Sequence, residues 1–233
     1  MKKEKAARQK SDGYLMLEKY LLKNTRAKVG LFILLFFALV AVFAPLIAPY
    51  QPKDISFMPW EKPSLAHPLG VNSYGQDIFS QVVYGTQVTM SVGVLAGLLT
   101  SFIGIFVGLL AGYKGGRTGE VLMRIVDVFL VVPTLAFMIV LAAFLPSMGI
   151  WNLIIIIGGL NWLWMARSIR SQTLSEARRE YVDAAKVQGM GTLEIMFREI
   201  LPNIIPVVTA NMVMVITSAM LTEATLSFLG LGD

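Results

Sequence analysis

Five apolar blocks dominate this chain, with the polar residues lying between them. The blocks cover 29–48, 88–113, 125–145, 150–166 and 203–226. A helix needs about 20 predominantly apolar residues to cross a bilayer core, and lipid offers the backbone no hydrogen bonds, so such segments are helical. The first block follows a basic leader at 1–28. A cleaved leader peptide carries an apolar run of about 7–15 residues; the run here is longer and reads as an uncleaved first span. Pro45, Pro49, Pro52, Pro59, Pro63 and Pro68 then predict an irregular loop over 49–87, with a short helix near 77–84. Gly115-Gly116 predicts a break between the second and third spans, and 146–149 a tight turn. Pro133 lies inside the third span.

The polar island at 167–202 breaks the pattern. Residues 175–188 contain no Gly or Pro and read as one helix. Ala177, Tyr181, Ala184, Ala185 and Gln188 fall on one side at helical steps, with Glu176, Arg179, Glu180, Asp183 and Lys186 mainly on the other. Gly189 can end this helix with a left-handed residue. Leu193, Met196, Phe197, Ile200 and Leu201 then follow the spacing of a second amphipathic helix, and Pro202 stands where the next span begins. The expected shape is a helix–turn–helix elbow. The alternative is an amphipathic segment lying in the headgroups. The small Ala184-Ala185 pair beside a turn favours close approach by another protein.

Charge supplies the orientation. Eighteen of the twenty Lys and Arg residues fall in the leader, in 114–124 or in the island; only Lys53 and Lys62 lie in the proline-rich loop. Cytoplasmic segments carry the excess of Lys and Arg. The N-terminus and the island are therefore expected inside the cell and the proline-rich loop outside. Trp151, Trp162 and Trp164 flank the fourth span, as indoles do at a membrane boundary. In the second span, Gly93, Gly97, Gly104, Gly108 and Gly112, with Ser101, recur at helical steps and predict a face for close helix packing.

Composition narrows the chemistry. The chain is 55% hydrophobic and 15% charged, against about a quarter charged in soluble domains. It has no cysteine and one histidine, His67, so it holds neither a thiolate site nor a histidine cluster for metal. The net charge of +5 reflects membrane orientation, and no nucleic-acid partner is expected. No phosphate-binding loop with its lysine occurs, so the chain is no ATPase by itself. No serine-nucleophile elbow occurs either. His67, beside Pro68 and with no acid close in sequence, reads as structural. Asp127 is expected to pair with Arg124 three residues away. Glu223 lies about 30 Å of helix beyond Pro202, near the outer surface, and is expected to serve packing or gating.

Asp183-Ala184-Ala185, three residues, Gly189, and then Leu201-Pro202 resemble the Glu-Ala-Ala loop of permease subunits of bacterial binding-protein-dependent ABC importers. Asp183 stands where that pattern has Glu, and Glu199 where it has Ile, with Ile200 one place later. His67-Pro68-Leu69-Gly70, Gly75-Gln76-Asp77, Ser80 and Tyr84-Gly85 resemble the outer loop of the C-type subunit in the dipeptide, oligopeptide and nickel branch. That branch commonly has Thr-Asp where Val71-Asn72 stand, and Arg at Gln76, Gln81 and Gln87. Residues 223–230 also resemble that subunit.

The resemblance implies an all-α integral membrane protein of the type I importer fold, in the bacterial inner membrane. Five spans are expected here, and a usual sixth is expected to be missing after Asp233. It implies a leader at 1–28, a permease domain at 29–233, an outer loop at 49–87 and a cytoplasmic coupling loop at 167–202. The implied coupling residues are Tyr181, Asp183, Ala184, Ala185, Gly189, Leu201 and Pro202. The implied partners are a sibling permease, two ATP-binding subunits holding ATP and Mg, an external substrate-binding protein and membrane lipid. This chain itself would bind no cofactor. The implied cargo is a dipeptide or oligopeptide, with nickel or an oligosaccharide as alternatives. An ATP-independent channel or carrier is the competing class; it would carry charged residues at the midplane and no docking elbow.

Overall fold

The computed structural model describes residues 24–145 and 149–232, and among them all regular structure is helical. The leader before residue 24, most of the turn expected at 146–149, and Asp233 lie outside the described residues. The chain divides at residue 87 into two compact units.

In the first unit, helix α1 spans Thr25–Val42 and is capped by Asn24, whose side chain accepts from the Arg26 amide at 3.0 Å. Ala41 is the residue of α1 that this structure buries. From Val29 onward apolar side chains cover the helix all round, as suits a helix facing lipid or other membrane subunits. Pro45 starts the short α2, Ala44–Ile47.

The proline-rich loop that follows is ordered around His67. Its ring lies between Phe57 and Tyr50, with centroids 4.5 and 5.1 Å away. Its Nδ1 meets Asp77 Oδ1 at 3.0 Å, and both side chains are buried. The expectation of no acid near His67 is thus corrected: the acid lies ten residues on, brought back by a Val71–Asp77 bridge. Asp77 also accepts from the Ser80 amide and hydroxyl, both at 2.7 Å, so it caps the next helix. Burial opposes its charge, but the Ser80 and His67 hydrogen bonds and the His67 charge outweigh burial and hold its carboxyl below the ordinary 3.8. Asn72, Gln76 and Gln81 join their side-chain amides at 2.8–3.2 Å. Gln81 also donates to the Pro52 carbonyl at 3.4 Å and Asn72 Oδ1 accepts from the Tyr74 and Gln76 amides, while Asp77 is held from His67 and Ser80.

Helix α3 spans Ile78–Lys114, 37 residues or about 55 Å. The short helix expected near 77–84 is its first turns. Helix α4, Gly116–Val131, and α5, Thr134–Ala143, together form the third apolar block, but they meet at 80°. The third span, with Pro133 inside it, is therefore a broken one. Pro133 has no amide to donate and pushes Val132 to extended backbone, φ −75° and ψ 128°.

Helices α6, Ile150–Leu160, and α7, Trp162–Glu176, form one nearly continuous rod through Asn161. Helix α8 covers Glu180–Val187. A turn of helix α9, Thr192–Glu194, leads through a π-helical stretch, Ile195–Ile200, into α10, Leu201–Phe228. Among the described residues, four helical stretches are long and apolar enough to cross a membrane, or five if the bent pair counts as one.

Glycine determines how the second unit packs. A Cβ built on Gly97 would lie 2.5 Å from Ile216 Cγ1, and one on Gly93 would fall inside Met220, both on α10. At Gly104, Gly108 and Gly112 it would lie 2.9, 2.7 and 2.5 Å from the Cβ atoms of Met165, Ile169 and Thr173 on α7. The upper part of the stripe thus receives α10 and the lower part receives α7. Backbones this close gain dispersion contacts, which hold helices together where lipid removes the hydrophobic drive.

Candidate functional site

The elbow at 177–202 is built from three local devices. The first is a break that residues 175–188 did not predict. α7 ends at Glu176, and Arg179 takes an extended conformation before α8, so the single expected helix is two. Tyr181 clasps the joint: its hydroxyl donates to Glu176 Oε2 at 2.8 Å. Burial, then the hydrogen bond and charge of Glu176, push the Tyr181 phenol up to about 12. It therefore stays a neutral donor to the carboxylate at any physiological pH.

The second device is the turn at Gly189. Its φ is +78°, in the left-handed region. The Met190 amide donates to the Ala185 carbonyl at 3.1 Å and the Gly189 amide to that of Lys186 at 3.0 Å. This pair of bonds is a Schellman ending, and it satisfies carbonyls that would otherwise be left open at the helix terminus. No atom lies within 4 Å of a Cβ placed on Gly189, so conformation alone demands glycine here.

The third device is the π turn. Pro202 cannot donate to the carbonyl four residues back, and its ring crowds that carbonyl. The wider turn relieves the crowding, with the Leu201 amide donating to Met196 five residues back. The second amphipathic helix thus does not stand alone: residues 192–228 run on as one continuous stretch. Ile200 fills the core, while Glu199 is only half-buried and its carbonyl accepts from Asn203 at 2.7 Å.

One core carries the elbow. Val182, Ala185, Ile195, Met196 and Ile200 pack with Leu109 of α3, Ile169 of α7, and Ile204 and Val208 of α10. The inward face of α8 is therefore Val182 and Ala185. Ala184 and Gln188, expected on that side, are exposed; Asp183 is exposed too and pairs with Lys186 at 2.9 Å. That partner raises the Lys186 pKa above its ordinary value. Leu201 is half-buried and Pro202 exposed. The open face carries Ala184, Val187, Leu193 and Phe197, with Val187 89% exposed. Sequence periodicity missed Val187; its signal was an apolar residue beside the turn in an otherwise polar stretch.

The remaining candidates fall elsewhere. Glu223 is 3% exposed and accepts from Thr89 at 2.6 Å and Ser227 at 2.7 Å, so it joins α10 to α3 rather than facing solvent. Asp127 pairs with Arg167 of α7 and not with Arg124, because the packing of α4 against α7 puts Arg167 on its side. Among the described residues no group of three potential ligands could hold a metal ion.

The second unit is thus a set of membrane-length helices with the elbow packed against α3, α7 and α10. Residues 104–233 match the family described as "binding-protein-dependent transport system inner membrane component". Residues 19–68 match "N-terminal TM domain of oligopeptide transport permease C". The chain is similar to the oligopeptide transport system permease protein OppC of Bacillus subtilis, 37% identical over 90% of this chain and 68% of that protein. It is also similar to OppC of Escherichia coli, 39% over 90% and 70%. To the dipeptide permease DppC of Bacillus subtilis it is 37% identical, over 90% and 66%. The chain thus spans about two thirds of the length of these relatives. It belongs to the binding-protein-dependent transport system inner membrane component family, as a multi-pass membrane protein.

Proposed function

We propose that this chain is one transmembrane half of an ATP-driven importer for oligopeptides or dipeptides in the bacterial inner membrane. The N-terminus and the elbow lie in the cytoplasm, and the His67 loop lies outside. A sibling permease completes the pore, and an external binding protein delivers peptide to it. Hydrolysis of ATP, with its Mg, belongs to two separate subunits, one of which receives the elbow. The peptide assignment rests on what the similar OppC and DppC proteins are named for.

One observation carries the coupling role. The elbow presents an exposed apolar face, and its inner face shares a core with α3, α7 and α10. A push on Val187 or Phe197 is therefore passed to three membrane helices through close-packed, incompressible contacts. Asp183, Ala184 and Gly189 shape the docking side, Tyr181 and Ala185 the joint, and Leu201-Pro202 the passage into α10. Gly93, Gly97, Gly104, Gly108 and Gly112 provide the packing seams, and Glu223 fastens α10 to α3.

The test is cross-linking. A cysteine at Val187 should form a disulfide with a cysteine in the groove of the co-expressed ATP-binding subunit, and its yield should change with nucleotide. Recovery of the assembled complex with no cross-link at 187, but one at Asn24, would overturn the assignment.

A further inference from the structure

Between α4 and α7 lies a groove of about 400 Å³ lined by Met123, Asp127, Arg167, Arg170, Ser171 and Leu174. Its size falls in the range of small-ligand sites, about 300–1,000 Å³. The four α7 residues stand at i, i+3, i+4 and i+7, so they share one face, and Met123 and Asp127 face them one turn apart on α4. The groove belongs neither to the elbow nor to the glycine seams.

Its electrostatics are unbalanced. Arg167 is occupied by Asp127, and its guanidinium also lies 5.8 Å from the centre of the Trp164 ring. Arg170 has no such partner. Its Nε is buried and makes no hydrogen bond, and no ion pair engages the side chain among the described residues. The side chain as a whole is half-exposed, but a buried N–H donor left without a partner is itself costly. The groove therefore carries one uncompensated positive charge, a hydroxyl at Ser171, and apolar walls at Met123 and Leu174.

Its depth is set by tryptophan. Trp164 is 69% exposed, at the end of the apolar block. Arg167 and Arg170 follow by about 4.5 and 9 Å along the helix. With indoles at the boundary, this is the level of the lipid phosphates, and the charge distribution places it on the cytoplasmic side. Basic pockets between helices on that side suit anionic headgroups.

We propose that this groove is a binding site for the phosphodiester headgroup of an anionic phospholipid, with Arg170 as its charge partner, Ser171 as a second donor, and Met123 and Leu174 along the first acyl carbons. A zwitterionic lipid brings a cation of its own, and the acid that could receive it, Asp127, is already held by Arg167.

The experiment uses the assembled transporter in detergent micelles doped with phosphatidylglycerol or phosphatidylcholine, with retained lipid counted by native mass spectrometry. This readout depends on neither transport nor orientation, so its failure is separable from failure of the importer assignment. The wild-type complex should retain phosphatidylglycerol in preference to phosphatidylcholine. R170Q should lower that preference about fivefold, the weight of one cation at a membrane surface, and R170K should restore part of it. S171E, at an exposed position that does not disturb the core, should lower it as well and serves if R170Q does not assemble. Equal retention of the two lipids by wild type, or unchanged preference in both R170Q and S171E, overturns the proposal. If inorganic phosphate at millimolar concentration displaces all retained phosphatidylglycerol, the site is one for free phosphate and the lipid assignment fails.

Discussion

Replacing Gly189 isolates backbone conformation from packing. The residue sits at φ +78°, with nothing within 4 Å of an added methyl, so Gly189→Ala introduces no clash. Its whole cost is that of holding an L-residue left-handed, about 1–2 kcal/mol. Gly189→Val costs more, since a β-branched residue is a genuine outlier there. Against a typical stability of about 5–15 kcal/mol the chain stays folded. The turn, however, is held by only two hydrogen bonds, each contributing about 0.5–1.5 kcal/mol net, so the strain is comparable to what closes it. The elbow should open before the membrane helices do. In proteoliposomes holding the complete transporter, Gly189→Val should cut uptake severalfold while the melting temperature of the complex shifts little. Gly189→Ala should be intermediate. Gly189→Asn should lie near wild type, because Asn tolerates the left-handed region. Normal uptake in the Val variant, or an Asn variant as impaired as Val, would refute the conformational explanation.

Gly108→Leu should lower the thermal stability of the detergent-solubilised complex by about 1–3 kcal/mol, because its Cβ would stand 2.7 Å from Ile169 Cβ and 2.8 Å from the Ala166 carbonyl. Gly30→Leu, with open space around it, should leave melting unchanged; equal effects of the two would contradict the seam. Asp183→Ala should reduce recovery of the ATP-binding subunit without changing melting, since its exposed pair with Lys186 is screened by solvent and adds little to the fold. Lost melting with full recovery would count against a docking role. The Asp77 carboxyl titrates below 3.8 when folded, so its stabilisation is full above that pH and lost as pH falls through the folded value. Proteolysis of the 49–77 loop should rise steeply on acidification below about pH 4 in wild type, and Asp77→Asn should flatten that rise. Identical pH profiles would rule out Asp77 as the titrating group.

Much of the helical layout was legible because lipid leaves a spanning segment no alternative. Apolar blocks alone located α1, the inner part of α3, α6 with the first turn of α7, and α10. Gly189 was legible as a left-handed stop because no other residue type ends a helix that way so cheaply. The misses have local physical causes. Pro133 sat visibly in the third block, yet the size of the bend depends on where α4 and α5 find partners. The π turn before Pro202 hid because Leu193 to Leu201 fit an ordinary helical period, and a wider turn keeps the same residues apolar. The break at Ala177 to Arg179 leaves no sequence mark, since none of those residues is a helix breaker.

By itself, the sequence determined that this chain spans a membrane, which segments can cross it, which side of the membrane the charges favour, and where a polar elbow interrupts the spans. These follow from transfer free energies and charge placement, which depend on residue type and order. Only the tertiary structure decided which faces meet. In α3 the glycine stripe marks a packing face without naming its partners, and in α10 periodicity does not separate a face turned to lipid from one turned to protein. Contact with Met165, Ile169, Ile216 and Met220 gave the glycine stripe its two partners. The same holds for the buried polar pairs. His67 with Asp77 and Glu223 with Thr89 join residues ten and 134 positions apart. Such pairing is dictated by the cost of leaving a charge or donor unmatched once the chain has packed, and no local pattern encodes it.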